Sequence, residues 1–196
     1  MKTYSVNEIF FSLQGEGVRA GSANIFVRFA GCNLTCKIES HGFDCDTEFT
    51  SSRKLTAVEI TNEMEKIAGT CRSVILTGGE PMLQVDEELL YQLHHQGWYI
   101  AMETNGSLPV HGLVDWVTVS PKVAEHAIRQ LTANEVKYVR SVGQAIPKTF
   151  IEAEYQFISP AWGSDIQKNL AHCIQLVKEN PKWRLSLQQH KLWAIR

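Results

Sequence analysis

Seven short apolar, β-branched runs punctuate the chain. They are "NIFVRFA" (24–30), "SVILT" (73–77), "WYIAM" (98–102), "DWVTV" (115–119), "EVKYV" (135–139), "YQFIS" (155–159) and "WRLSLQ" (183–188). Each has strand length and ends in polar or turn residues, which predicts a β-strand. Three intervening stretches carry a helical period instead. In "TAVEITNEMEKIAG" (56–69), Ile60, Met64 and Ile67 fall on one face, and Thr56 with Glu59 has the spacing of a capping box. A second helix is predicted from Asp86 to His95, closed by Gly97. The third, "SDIQKNLAHCIQLVKEN" (164–180), opens on Ser164 and Gln167. It offers Ile166, Leu170, Ile174 and Val177 as a buried stripe and stops before Pro181.

Strands separated by helices pair in parallel through right-handed crossovers. Some connections, such as "NGSLPVHGLV", are too short to hold a helix. The expected fold is therefore one α/β domain over residues 1–196, a barrel-like or open sheet of mostly parallel strands with fewer helices than strands. Polar and glycine-rich signatures sit just after the strands: "AGC", "GGEP", "ETNG", "SPK", "SPAW" and "QQHK". In parallel sheets the carboxyl ends of the strands are where ligands and catalytic groups meet. Six such tails in succession point to one shared site.

Composition narrows the setting. A formal net charge of −2 gives no electrostatic reason to expect a nucleic-acid partner. The longest apolar runs are strand-sized, so no membrane span is expected. The start, "MKTYSVNEIFFSLQ", lacks the pattern of a secretory signal. A cytoplasmic location is expected, where clustered cysteines serve as metal ligands or redox groups more often than as disulfides.

Three of the five cysteines stand in one loop: three residues separate Cys32 from Cys36, and eight separate Cys36 from Cys45. A closed structural zinc site needs four protein ligands, and an iron–sulfur cube usually has four cysteines. Two readings are open. His41 could complete a Cys3His zinc knuckle, or a [4Fe–4S] cluster could keep one iron for a small molecule. Thiolates suit both metals, but a zinc knuckle leaves the other strand-end motifs unexplained.

Those motifs carry a resemblance. Cys32-x3-Cys36 after the first run, a later cysteine, and a strand ending in "GGEP" resemble the radical S-adenosylmethionine (SAM) superfamily. "FSLQGEG", "VRFAGCNLTC", "CDTEF", "LTGGEPMLQ", "METNGS", "VSPK", "NEVKYV" and "LSLQQHK" together resemble the 7-carboxy-7-deazaguanine synthase family over nearly the whole chain. The superfamily's usual second spacing is two residues, not eight. Lengthening the loop costs about 1.2 kcal/mol of closure entropy, small beside the binding energy of a structural metal, on the order of ten times that.

The resemblance implies a partial TIM-like barrel with a radical SAM core. It implies a carbon–nitrogen lyase that converts 6-carboxy-5,6,7,8-tetrahydropterin to 7-carboxy-7-deazaguanine in queuosine-type biosynthesis. Cys32, Cys36 and Cys45 would hold a [4Fe–4S] cluster, and Thr47 of "CDT" would bind Mg²⁺. SAM would lie against Phe43, Asp44, Asp46, Gly78, Gly79, Glu80, Ser120 and Lys122. Asp44 and Phe43 stand where the family places an aromatic near the adenine. The pterin would meet Leu13, Gln14, Gly15, Glu16, Arg28, Thr77, Glu103, Asn105, Ser159 and Arg196. Ser159 occupies the place of a family glutamine. The resemblance also implies a homodimer and an electron donor such as flavodoxin.

Blander readings stand beside these. "TGGEP" could be a tight turn, "SPK" a solvated strand end, and Arg28 an outward surface arginine. Cys173 reads as core. Two other functions compete: an activase that installs a glycyl radical on another enzyme, and a non-enzymatic zinc protein.

Overall fold

The computed structural model describes every residue from 1 to 196 except Asp46; the SAM contact expected of Asp46 lies outside the described residues. One sheet holds nine strands: β1 (Tyr4–Leu13), β2 (Ala23–Phe29), β3 (Arg53–Leu55), β4 (Ser73–Gly78), β5 (Tyr99–Thr104), β6 (Trp116–Val119), β7 (Thr132–Arg140), β8 (Glu152–Pro160) and β9 (Arg184–Leu185). Their spatial order is β3-β1-β2-β4-β5-β6-β7-β8-β9. From β2 to β9 each neighbouring pair is parallel, while β1 runs antiparallel to β2 and to β3. The α-helices are α1 (Ile38–His41), α2 (Ala57–Ala68), α3 (Glu87–His95), α4 (Ile166–Glu179) and α5 (Gln189–Leu192). Helices are thus fewer than strands among the described residues, and no helix there is long and apolar enough to cross a membrane.

The seven predicted strands are β2 and β4 to β9. The last is shorter than predicted, its ladder with β8 closing at Ser186 N to Ile158 O (2.9 Å). The Ser186 hydroxyl accepts from Gly17 N (3.0 Å), and the Gln188 amide donates to Glu16 (3.2 Å). Strand β1 is absent from the apolar pattern for a physical reason. A bulge between Val6 and Glu8 shifts its register, and an extra residue in one strand moves later side chains to the other face. Tyr4 and Val6 enter the helix-side core, whereas Glu8 and Phe10 turn to the opposite face.

The helices follow their predicted ends with two corrections. In α2 the Thr56–Glu59 capping box forms, but Ile67 is exposed and Ala57, Ile60, Met64 and Ala68 make the buried stripe. In α4 no side chain caps the start, and Ile174 is exposed. The stripe turns so that Asn169 is buried, where it donates to Ala161 O (2.9 Å) and accepts from Val142 N (3.0 Å). Cys173 sits in the core beneath α4, as expected.

Alternation along the parallel strands divides the molecule. One face presents Ile25, Val27, Phe29, Val74, Leu76, Ile100 and Met102 to α2 and α3, and Val119, Val136, Tyr138 and Ile158 pack with Cys173 and Trp183. The other face is polar. Register places Arg28 beside Thr77, Glu103 beside Thr118, Thr118 beside Glu135, and Val139 beside Ser159. A buried row of such residues needs partners or a ligand.

Candidate active site

The polar face and the strand ends enclose one cavity of about 610 Å³, the size of a small-molecule site. Cys32, Cys36 and Cys45 line it with Phe43, Asp44, Thr47, Gly78, Gly79, Ser120 and Lys122. Leu13, Gln14, Gly15, Glu16, Arg28, Thr77, Glu103, Asn105, Ser159 and Arg196 line it too. Of the residues expected at the site, Glu80 alone among the described ones is not in the wall. Its carboxylate is fully buried and accepts from Thr104 Oγ1 (2.8 and 2.9 Å), Asn105 N (2.8 Å) and Met82 N (3.1 Å). Glu80 braces the "ETN" segment from behind, and burial pushes its pKa up.

The long loop between Cys36 and Cys45 is a single helical turn, α1, closed at its base by Cys45 N to Cys36 O (3.3 Å). Asp44 accepts from Ile38 N (3.0 Å) at the start of that turn. Its far side docks through Ser141 Oγ to Gly42 O (2.6 Å) and Gln144 Nε2 to His41 O (3.1 Å). The His41 ring bonds Ser40 Oγ (2.7 Å) and the Lys122 carbonyl (3.0 Å). With both nitrogens so engaged, His41 is not the fourth ligand of a zinc knuckle. Among the described residues no three His, Cys, Asp or Glu side chains gather about a single ion.

Burial raises the pKa of Cys32, helped by the Glu80 and Cys45 charges. Burial raises Cys36 as well, against the pull of Lys122. Lys122 folds its ammonium back to Ser120 Oγ (2.6 Å) over the Phe43 ring (5.6 Å). Burial and the Lys137 charge bring it down to about 8.

In the same cavity, Lys137 is buried against Glu16 and reaches Glu103 at 3.5 Å. Gln14 donates to Glu103 (2.9 Å) and accepts from Glu16 N (3.1 Å). Burial opposes the charge on Glu16, but Lys137 overcomes it and holds that carboxylate below its usual range. Glu103 moves the other way, raised by burial in spite of Lys137. Two carboxylates on one cation are thereby separated into an ionised group and one that takes up a proton more readily.

Comparison with known proteins places this architecture. A family model described as the radical SAM superfamily matches residues 26–142. A 7-carboxy-7-deazaguanine synthase of Bradyrhizobium diazoefficiens is 39% identical over 99% of this chain and 100% of its own. One of Bacteroides thetaiotaomicron is 41% identical over 97% of this chain and 98% of its own. The chain belongs to the 7-carboxy-7-deazaguanine synthase family, within the radical SAM superfamily. A crystal structure of QueE from Escherichia coli shares the fold, with a TM-score of 0.71 at 24% identity over 94% of this chain and 93% of that one. The open, mostly parallel sheet is thus the partial barrel of the radical SAM core.

Membership of that superfamily implies a [4Fe–4S] cluster and SAM, and the donor set fits both. Three soft thiols share one wall of a cavity with room beside them for a nucleoside. Gly78 and Gly79 let the end of β4 lie directly against the backbone that leads to Cys32: a Cβ at Gly78 would overlap the Phe29 carbonyl, and one at Gly79 the Gly31 carbonyl.

Sequence reading missed Lys137, Glu8, Phe10 and Phe26, all in the cavity wall. Lys137 had a signal. Charged residues at 135 and 137 within an apolar strand mark one face of that strand as polar and enclosed.

Proposed function

We propose that the protein is a 7-carboxy-7-deazaguanine synthase, converting 6-carboxy-5,6,7,8-tetrahydropterin to 7-carboxy-7-deazaguanine with loss of ammonia in queuosine-type biosynthesis. The observation that carries this is one cavity lined both by three thiols and by amide, carboxylate and cationic groups. An activase would leave the second set without a task. Cys32, Cys36 and Cys45 would hold the cluster, while Gly78, Gly79, Phe43, Asp44, Ser120 and Lys122 would seat SAM. Held there, these cofactors would supply the radical chemistry for hydrogen abstraction from the pterin.

The remaining roles belong to the chain's own side chains. Gln14, Glu16 and Glu103 match the donor and acceptor edges of a pterin, and Arg28 matches its carboxylate. Lys137 keeps Glu16 ionised as an acceptor. Glu103, pushed toward its protonated form, is the carboxyl suited to handing a proton to departing ammonia. Thr77, Asn105, Ser159, Leu13, Gly15 and Arg196 complete the enclosure. We place Mg²⁺ at Thr47, because magnesium accepts one protein oxygen and keeps its other positions for water and substrate. The chain would act as one radical SAM domain over 1–196, as a cytoplasmic homodimer fed by a flavodoxin-type donor.

Anaerobic protein assayed for iron and sulfide, then given SAM, reductant and the carboxytetrahydropterin, tests the reading. It should yield 7-carboxy-7-deazaguanine by mass spectrometry. Zinc in place of iron, or SAM cleavage without that product, overturns it. Thr47→Val should remove most of the stimulation by added Mg²⁺ and leave cluster content unchanged. Undiminished stimulation would move the magnesium site elsewhere.

A further inference from the structure

The bulge in β1 sends Glu8 into the cavity directly opposite Arg28 on β2. Glu8 Oε1 takes Arg28 Nε at 2.8 Å, and Glu8 Oε2 lies 3.3 Å from Arg196 Nη2. Both guanidinium groups lie over the Phe10 ring, Arg28 at 5.8 Å and Arg196 at 5.7 Å from its centroid. Phe10 in turn is stacked on Phe26, at 5.0 Å and 6°. Among the described residues, the Arg28 side chain makes no other hydrogen bond.

The choice of nitrogen matters. A carboxylate that took the two terminal nitrogens of Arg28 would use up its fork. Glu8 takes the Nε edge instead and leaves both terminal nitrogens to the cavity. The aromatic pair fixes the plane of the guanidinium, since cations settle over ring faces. Arg196 answers the second oxygen of Glu8.

We propose that Glu8 is a positioning residue for substrate selection: it orients Arg28 so that the enzyme prefers a pterin bearing a carboxylate over one lacking it. This rests on the reading of Arg28 as the group that meets the substrate carboxylate. A surface ion pair of no consequence is the competing explanation, as half-exposed pairs contribute little.

Equilibrium dialysis of the cluster-loaded, SAM-bound protein against 6-carboxypterin and unsubstituted pterin separates the two. The wild type should favour the carboxylated probe. Glu8→Leu should cut that preference about tenfold, ~1.4 kcal/mol, with affinity for unsubstituted pterin unchanged. Glu8→Gln, which retains an oxygen opposite Nε, should hold the preference within about threefold of wild type. An intact preference in Glu8→Leu, equal losses for both probes, or a Gln variant as poor as the Leu variant overturns the proposal. Arg28→Met reports on the underlying assignment. If the wild type shows no dependence on the carboxylate, or Arg28→Met keeps it, the role of Arg28 falls; if Arg28→Met loses the preference and Glu8→Leu keeps it, only the role of Glu8 falls.

Discussion

Replacing Lys137 by methionine should lower the melting temperature by roughly 10 °C, corresponding to a loss of about 3–5 kcal/mol, and should abolish measurable turnover. Methionine matches the lysine stem and lacks only the ammonium, so the loss is chiefly of charge. Lys137 is 5% exposed and sits between Glu16 and Glu103, with Glu135 contributing a further negative charge nearby. Without the ammonium, buried carboxylates face one another uncompensated, which is the costly way to break a buried ion pair. The effect also has a pH signature. In the wild type Glu16 is held below its usual pKa, so its contribution is present above the ordinary carboxylate range and is lost as pH falls through the depressed value. In Lys137→Met the main lowering influence is gone: burial raises Glu16 against the remaining Gln188 and His190 contacts, and burial with the neighbouring carboxylates raises Glu103. The folded variant then binds protons more readily than its unfolded chain, and its stability rises as pH falls. The gap between the two proteins should shrink from about pH 7 to about pH 5 in thermal melts. A gap independent of pH would mean that Lys137 contributes packing alone.

How far the chain announced this arrangement depends on which physical signal each part carries. The parallel strands were legible because their runs are strand-sized, rich in β-branched and aromatic residues, and bounded by turn residues. The clustering of functional groups followed from them, since residues that trail successive parallel strands meet at one end of the sheet. Strand β1 was not legible, because the bulge at Asn7–Glu8 exchanges its inner and outer faces halfway along. That same exchange hid Glu8 and Phe10, whose positions depend on a register that sequence periodicity alone does not fix. Glu80 shows the reverse. Its motif marked it as a ligand-side residue, yet the turn after β4 directs its carboxylate inward to Thr104 and Asn105. His41 had acceptable spacing for zinc, but the fold of α1 assigns its ring to Ser40 and Lys122. Spacing along a chain constrains which residues can meet; the direction of each side chain is set by the turns between them.

Gly79→Ala is the second substitution with a large expected effect, and the reason is space. The turn after β4 lies against the turn after β2, joined by Gly79 N to Phe29 O (3.2 Å) and Glu80 N to Gly31 O (3.0 Å). A methyl group at Gly79 would overlap the Gly31 carbonyl and press on Cys32 Cβ at 2.9 Å. Backbone cannot rotate aside as a flexible side chain does, so the two turns must part. Overpacking of this kind costs about 1–3 kcal/mol, and parting the turns also weakens two backbone hydrogen bonds, each about 1 kcal/mol. The functional loss should exceed the loss of stability, because Cys32 moves with its turn while Cys36 and Cys45 stay anchored by α1. Iron and sulfide per chain after anaerobic reconstitution should fall by more than half, and SAM binding by dialysis should weaken with them. Gly112→Ala is the matched control: no atom lies within 4 Å of the added methyl group, so stability should change by no more than about 0.5 kcal/mol and iron content should not change. Full iron content in Gly79→Ala would mean that the turns yield easily and that their close approach does not set the position of Cys32.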